Sequence, residues 1–397
     1  MTVKLCLQRG WIVKTTTRNP KKHSKRLHNL VPTKSHNLTI HQLDFLAPTA
    51  EDDLTNIFQE CDVIMHTASP FFVKGATLDN VVKPAVEGTR KVLNSASKAN
   101  VQNIILTSST ASIYAWYGNK PLDHIMTEED WSNEQALLDH SNYYPISKMR
   151  AEKLAWTLSK QLNLNLAVMN PCLIWYAVYN IYLCFPFHPL IFHQKLQIVF
   201  LYLTSFFLFG ISFCFVRGEM LNSTTLNTSS GVILSYLDGS RDLIQNCTKC
   251  VVDVQDVALA HIKAYEIGVT NPKLVYGKRY LLVGGCPKWS EIAEMIQSWA
   301  TSVNKPHLPI PSRVDLKIPP SGLGADAPNK TLYDCARAEN ILGIRFTSVE
   351  KMVNNTCVSL LRLGYLDDVK EMGGGGDGIG RMVLLGVGVL VGLVSLC

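Results

Sequence analysis

Strand and helix patterns alternate along the first 175 residues, and this alternation constrains the fold more than any other feature of the chain. Amphipathic stretches at helical spacing separate five β-rich runs, at 11–17, 38–45, 62–69, 103–109 and 164–171. Strands separated by helices of this length indicate a parallel, doubly wound α/β sheet. We therefore expect a ligand at the carboxyl ends of the strands.

The segment "YYPISK" at 143–148 places two tyrosines before a lysine. Tyr144 and Lys148 are four residues apart, so they share one face of a helix, whereas Tyr143 diverges from the lysine. Pro145 falls in the first turn, where its missing N–H costs little. A nearby ammonium stabilises a phenolate, so Tyr144 can exchange a proton with a carbonyl or alcohol oxygen. The same spacing also fits an ordinary amphipathic helix with a surface tyrosine.

Polar residues follow the ends of the first two predicted strands. Arg18 suits a nucleotide 2′-phosphate, because guanidinium binds phosphate with two charge-assisted hydrogen bonds, and Lys25 can assist it. The alternative is a solvated basic loop. Asp44 either accepts a hydrogen bond from an adenine amine or begins a turn.

The third and fourth predicted strands end in small and hydroxyl-bearing residues. The segment "HTASP" at 66–70 suits a close approach of the backbone to a cofactor, and otherwise is a plain strand exit. Ser108, Ser109 and Thr110 end the fourth strand, where a hydroxyl can hold a substrate carbonyl beside Tyr144. A lone "TSST" more often caps a loop.

Composition excludes some classes of partner. The chain has 397 residues, 47% of them hydrophobic, and a net charge of +6, with "KKHSKR" at 21–26 as its densest basic stretch. We therefore expect no nucleic-acid partner.

Of the eleven cysteines only Cys247 and Cys250 form a C-x-x-C, without a second pair to complete a zinc site. Because no signal peptide opens the chain, we expect a cytoplasmic protein.

Segments spread over most of the chain, taken together and in order, resemble the extended short-chain dehydrogenase/reductase superfamily. The similar branch is the dihydroflavonol reductase, cinnamoyl-CoA reductase and phenylacetaldehyde reductase group. The segments include "LQRGWIVKTTTRNP", "CDVIMHTASPFF", "IILTSSTASIYA", "YYPISKMRAEKLAW", "NPCLIW" and "VVDVQDVALAHIKAYE". The resemblance implies a Rossmann-type sheet with a smaller C-terminal substrate-binding region. In the last segment we expect Asp256 to cap a helix.

The resemblance also implies NADPH-dependent reduction of a small, aromatic aldehyde or ketone to an alcohol. It assigns a catalytic triad to Ser109, Tyr144 and Lys148, with Thr110 as a substitute for the serine. Its cofactor-binding positions fall on Arg18, Lys25, Asp44, His66, Thr67, Ala68, Tyr144, Lys148 and Pro171. Pro145 stands where cinnamoyl-CoA reductases carry a cysteine, so we do not expect a CoA thioester as substrate.

The N-terminus departs from the family pattern. Members of the family open with a strand and a glycine-rich turn, whereas Met1 here already lies inside the following helix. That strand is central in the sheet, and the turn presents N–H groups to the pyrophosphate. Without that strand two buried strand edges lie unpaired, and each unpaired buried group costs about 1–3 kcal/mol. We therefore expect poor folding and weak NADPH binding, or none.

An apolar insertion at 176–217 and an apolar tail divide the chain further. We predict a truncated NADP-binding domain at 1–175, the remaining core with the substrate-binding region at 218–366, and a glycine-rich linker with an apolar tail at 367–397. We interpret the insertion as a translated retained intron; a membrane span at 196–216 is the alternative. We also predict weak membrane association of the tail at 382–397.

Two further functions stay open at this stage. A catalytically impaired, membrane-associated protein of the same fold would explain the missing glycine-rich turn. An epimerase, dehydratase or hydroxysteroid dehydrogenase would share the triad, but such enzymes usually carry an acidic residue at the position of Arg18.

Overall fold

The computed structural model describes residues 1–69, 75–114, 124–175, 197–201, 228–315 and 333–366, with the backbone alone at 197–201 and 228–229. Its strands are β1 (Ile12–Thr17), β2 (Leu38–Gln42), β3 (Val63–His66), β4 (Asn103–Thr107), β5 (Asn165–Pro171), β6 (Leu173–Trp175), β7 (Gln197–Leu201), β8 (Ile244–Gln245), β9 (Val251–Asp253), β10 (Lys278–Leu282) and β11 (Val314–Asp315). The five strands predicted from the sequence are confirmed as β1 to β5, with slightly shorter bounds.

The helices alternate with the strands of the first half and dominate the second. They are α1 (Thr2–Gln8), α2 (Pro20–His28), α3 (Ala50–Phe58), α4 (Lys83–Lys98), α5 (Glu134–Asp139), α6 (Tyr143–Gln161), α7 (Thr228–Leu237), α8 (Val254–Thr270), α9 (Pro272–Val275), α10 (Trp289–Ser302), α11 (Ala336–Leu342) and α12 (Val349–Arg362). Gly10 follows α1 with a φ of 77°, a conformation that glycine adopts without strain.

The main sheet has seven parallel strands in the order β10-β5-β4-β3-β7-β1-β2. β7 lies between β1 and β3 and pairs with both, so that Val199 is the register partner of Lys14 on one side and of Ile64 on the other. β7 therefore occupies the position that the first strand takes in a doubly wound sheet.

The prediction that the loss of the first strand leaves two strand edges unpaired is wrong. β1 and β3 both find a parallel neighbour in β7, which the apolar insertion supplies. A run of apolar residues can form a buried central strand as readily as a membrane span, because both environments require apolar side chains and a fully paired backbone.

No helix in the described ranges is long and apolar enough to cross a membrane. Within the proposed span at 196–216, residues 197–201 form β7 instead. The rest of that run, most of the insertion at 176–217 and the tail at 382–397 lie outside the described residues.

Alternate side chains of the strands enter two different cores, one on each face of the sheet. Ile104 and Leu106 pack with α3, α4 and α6 on one face, whereas Ile105 packs with α1 and α8 on the other. This period of two is the expected consequence of strand geometry in a sheet covered on both faces. A third core joins α7, α10 and α12 around Trp175, Tyr236 and Trp289.

The prediction that Asp256 caps a helix is wrong. Asp253 is the N-cap of α8, and its carboxylate accepts a hydrogen bond from the N–H of Gln255 at 2.7 Å. Asp256 lies in the first turn and accepts from the N–H of Thr347 at 2.7 Å. It therefore ties α8 to the segment that precedes α12.

Candidate functional site

Three neighbouring strands bring the predicted site residues to one edge of the sheet. His66 ends β3, Ser109 follows the end of β4 by two residues, and Pro171 ends β5. β3, β4 and β5 are adjacent and parallel, so their carboxyl ends lie side by side. This edge is where doubly wound sheets bind their ligands.

Helix α6 contributes the Tyr144–Lys148 pair. The helix begins at Tyr143, with Pro145 in its first turn as the sequence predicts. Tyr144 is partly buried, and Lys148 is only 8% exposed. The Nζ atom of Lys148 lies 6.0 Å from the ring centroid of Tyr144, at the outer limit of a cation–π contact.

The local structure distinguishes Ser109 from its neighbours. Ser109 is partly exposed, and its Oγ accepts a hydrogen bond from the N–H of Ala111 at 3.2 Å while lying 3.5 Å from the carbonyl oxygen of Pro171. Ser108 is buried and donates to Glu152 at 2.5 Å, and Thr110 is only 9% exposed. Of these three residues, Ser109 is the most exposed.

His66 lies beneath the same edge. Its Nε2 is 3.5 Å from the Oγ1 of Thr89, and its ring stacks with that of Phe45 at 6.2 Å. Burial, together with the positive charge of Lys148, lowers the pKa of His66 to about 3, so the ring is neutral near pH 7. The next two residues continue along the strand exit, with Thr67 partly buried and Ala68 6% exposed.

Arg18 and Asp44 follow β1 and β2 at the other end of this edge. Burial lowers the pKa of the Arg18 guanidinium, and the charge of Asp44 opposes that shift, so the two groups are electrostatically coupled. Asp44 is exposed, and its Oδ1 accepts from the N–H of Leu46 at 3.0 Å, the local hydrogen bond of an aspartate in a turn. Lys25 is exposed in the last turn of α2.

A buried polar cluster beneath Ser109 did not emerge from the sequence. Glu152 on α6 is 1% exposed and forms an ion pair with Arg279 of β10, which is 6% exposed. Ser112 and Asn170 join the same cluster. Its one sequence signal is spacing, because Glu152 follows Lys148 by the same four residues that separate Lys148 from Tyr144.

Comparison with known proteins agrees with this architecture. Residues 19–174 match the model of the 3-beta hydroxysteroid dehydrogenase/isomerase family. Cinnamoyl-CoA reductase 1 of Petunia hybrida is 29% identical over 365 residues, which cover 92% of this chain and 89% of that protein.

Solved structures show the same fold. The yeast methylglyoxal/isovaleraldehyde reductase Gre2, complexed with NADPH, superposes with a TM-score of 0.67 at 19% identity, covering 92% of this chain and 95% of that one. Gre2 of Candida albicans, also in complex with NADPH, gives a TM-score of 0.66 at 25% identity, covering 91% and 95%. The predicted Rossmann-type fold is confirmed. The predicted resemblance is confirmed as well: the chain is similar to the 3-beta hydroxysteroid dehydrogenase and NAD-dependent epimerase branch of the short-chain dehydrogenases/reductases.

Proposed function

We propose that this chain catalyses the NADPH-dependent reduction of a small, aromatic aldehyde or ketone to an alcohol. The observation that carries the proposal is the Tyr144–Lys148 pair on α6, at the edge where β3, β4 and β5 end. A phenol, an ammonium and the hydroxyl of Ser109 are the groups needed to bind a carbonyl oxygen and to protonate it.

The residues at the sheet edge fit a dinucleotide cofactor. The Nδ1 atom of His66 is buried without a hydrogen-bond partner in the described part of the chain, as expected where a polar ligand group approaches. Arg18 and Lys25 would hold the 2′-phosphate and Asp44 the adenine, whereas His66, Thr67, Ala68 and Pro171 would lie along the rest of the cofactor. Two structural relatives contain NADPH, which supports this choice.

The chemistry that follows is a proton transfer coupled to reduction. A bound nicotinamide supplies the hydride. Tyr144 donates its phenolic proton to the carbonyl oxygen, and Lys148 stabilises the phenolate that results. Ser109 orients the carbonyl, because within the described residues its hydroxyl proton makes a long contact of 3.5 Å with Pro171 and can turn towards a substrate.

The proposed substrate class follows from the named relatives, which reduce cinnamoyl-CoA or methylglyoxal by their names. Pro145 replaces the cysteine of the cinnamoyl-CoA reductases, so we propose a free aldehyde or ketone rather than a thioester.

The test uses the purified full chain with NADPH and a panel of cinnamaldehydes, benzaldehydes, methylglyoxal and cinnamoyl-CoA. We expect the oxidation of NADPH with at least one aromatic aldehyde or ketone and slower or no oxidation with the thioester. Binding of NADPH without turnover of any carbonyl would favour the catalytically impaired alternative. Turnover of the thioester alone would overturn the proposed substrate class.

A further inference from the structure

We propose that Glu152 is a positioning residue that holds Ser109 in register with Tyr144 and Lys148. The inference rests on the proposed function, because it concerns the geometry of the same reaction. It arises from the position of Glu152, a buried carboxylate on α6 that binds the segment after β4 and Arg279 of β10.

The two carboxylate oxygens of Glu152 have different partners. Oε1 accepts a hydrogen bond from Nε of Arg279 at 2.6 Å. Oε2 accepts from Ser108 Oγ at 2.5 Å and from Asn170 Nδ2 at 3.0 Å, and it lies 2.7 Å from Ser112 Oγ. One side chain therefore joins α6, the exit of β4, the end of β5 and β10.

These partners surround Ser109 on both sides. Ser108 precedes it, and the main-chain carbonyl of Ser109 lies 2.8 Å from Ser112 Oγ and 3.3 Å from Asn170 Nδ2. The N–H of Ser112 donates to the same carbonyl at 3.0 Å. The backbone of Ser109 is thus fixed by groups that are themselves fixed by the carboxylate of Glu152.

Arg279 balances the charge of Glu152 and extends the cluster. It donates to the carbonyl oxygens of Glu128 and Asp130 at 2.8 and 2.6 Å, and its guanidinium stacks 3.9 Å from the ring of Trp131. A buried guanidinium with these partners does not move easily. Arg279 therefore fixes the carboxylate of Glu152 on the side opposite residues 108–112, here called the serine segment.

The position of Glu152 on α6 explains why this support bears on catalysis. Tyr144, Lys148 and Glu152 follow one another at intervals of four residues, on one face of a single helix. A shift of the serine segment relative to Glu152 is therefore also a shift of Ser109 relative to Tyr144. Reactions of this kind lose about 100-fold in rate for a misplacement of about 1 Å.

Glu152→Gln tests the proposal. The amide keeps the size of the side chain, but its NH2 group must face a donor, either Arg279 or the Ser108, Ser112 and Asn170 side. We expect kcat to fall by about 10- to 100-fold while the dissociation constant for NADPH stays at the wild-type value. Amide hydrogen exchange should become faster at 108–112 and stay unchanged in the α6 segment at 146–150.

Glu134→Gln is the matched control. It removes another glutamate–arginine pair, the one that joins Glu134 of α5 to Arg150 of α6 at 2.7 Å, without touching residues 108–112. We expect this variant to keep the wild-type kcat and the wild-type exchange at 108–112. An equal loss of kcat in both variants, or a wild-type kcat in Glu152→Gln, would overturn the proposal.

A second variant covers the case in which Glu152→Gln does not fold. The double variant Glu152→Met with Arg279→Met replaces a buried ion pair by apolar groups, a change that proteins often tolerate. A folded double variant with reduced kcat supports the positioning role, and one with full kcat overturns it. If neither variant folds, Glu152 serves the stability of the fold alone and the proposal is wrong.

The experiment separates this proposal from the proposed function. If the wild-type chain reduces no carbonyl, the proposed function fails by itself. Hydrogen exchange at 108–112 then still decides whether Glu152 holds Ser109, because that measurement does not depend on turnover. Exchange at 108–112 that stays unchanged in Glu152→Gln would overturn the positioning role in either case.

Discussion

Lys148 Nζ lies 6.0 Å from the ring centroid of Tyr144, one helical turn away on α6. If Tyr144 donates the proton in the proposed reduction, Tyr144→Phe removes the donor and keeps the ring. We expect kcat to fall by about 10²- to 10⁴-fold, the usual contribution of a positioned acid. NADPH binding, followed by fluorescence titration, should persist.

Tyr143→Phe provides the control for this prediction. Tyr143 packs at the start of the same helix, against the small core of Val82, Leu137 and Ile146. The loss of its hydroxyl leaves the Tyr144–Lys148 pair intact, so we expect the wild-type kcat. A kcat at the wild-type value in Tyr144→Phe would show that another group protonates the substrate.

Arg18 is the second residue whose proposed role can be tested by substitution. Arg18 directly follows β1, so its guanidinium is near the carboxyl end of that strand, where a 2′-phosphate would be recognised. Hydrogen bonds between charged groups contribute about 1.5–3 kcal/mol, so Arg18→Ala should weaken NADPH binding by about 10- to 100-fold. NADH lacks the 2′-phosphate, and its affinity should change little.

Lys21→Ala makes the same change in charge on the exposed surface of α2. It should leave the affinities for both cofactors unchanged in the same titration. Lys25→Ala should weaken NADPH binding less than Arg18→Ala and more than Lys21→Ala, because Lys25 is exposed and assists only at a distance. Equal weakening of NADH and NADPH by Arg18→Ala would contradict recognition of the 2′-phosphate.

The pairing of β7 with a strand on each side leads to a prediction about stability. A proline cannot donate to a ladder of hydrogen bonds and is not found in central strands, and Val199 pairs with neighbours on both sides. Leaving a buried carbonyl unpaired costs about 1–3 kcal/mol, so we expect Val199→Pro to lower the free energy of unfolding by at least that amount in urea denaturation. Val199→Thr keeps the N–H group and is the control.

An unchanged urea midpoint in Val199→Pro would show that β7 is not part of the sheet in solution. The interpretation of 176–217 as a retained intron stays a prediction. Sequencing the native transcript across these codons tests it, since a spliced transcript would lack the codons of β7 altogether.

The sequence predicted the part of the fold that local periodicity encodes. The runs that became β1 to β5 carry period-two or continuous apolar patterns, and α6 carries helical spacing from Tyr143 onwards. β7 was not predicted, because its partners Lys14 and Ile64 lie more than a hundred residues before it. An isolated apolar run does not reveal whether it enters a sheet or a bilayer.

The sequence likewise predicted only part of the candidate site. Tyr144 and Lys148 are neighbours on one helix, so their spacing alone indicated the pair. The contact of Glu152 with Arg279 joins residues 127 positions apart, and it depends on how α6 and β10 pack across the sheet. Asp253 rather than Asp256 caps α8 because the helix begins three residues earlier than the sequence pattern indicated.

Two buried histidines predict how stability depends on pH. Burial, with the charge of Lys148, lowers the pKa of His66 to about 3, and burial lowers that of His261 to about 4, whereas an unfolded histidine titrates near 6.5. Below that value the unfolded chain binds protons at these two positions that the folded chain does not, so both histidines lower the free energy of unfolding as the pH decreases from about 6.5 to 4. Asp253, whose pKa burial raises to about 7, has the opposite effect in the same range. Urea denaturation at several pH values measures this slope. His66→Gln should reduce the slope by about one proton. His140→Gln, on the surface, is the control for the substitution and should leave the slope unchanged. An unchanged slope in His66→Gln would show that His66 titrates normally in the fold.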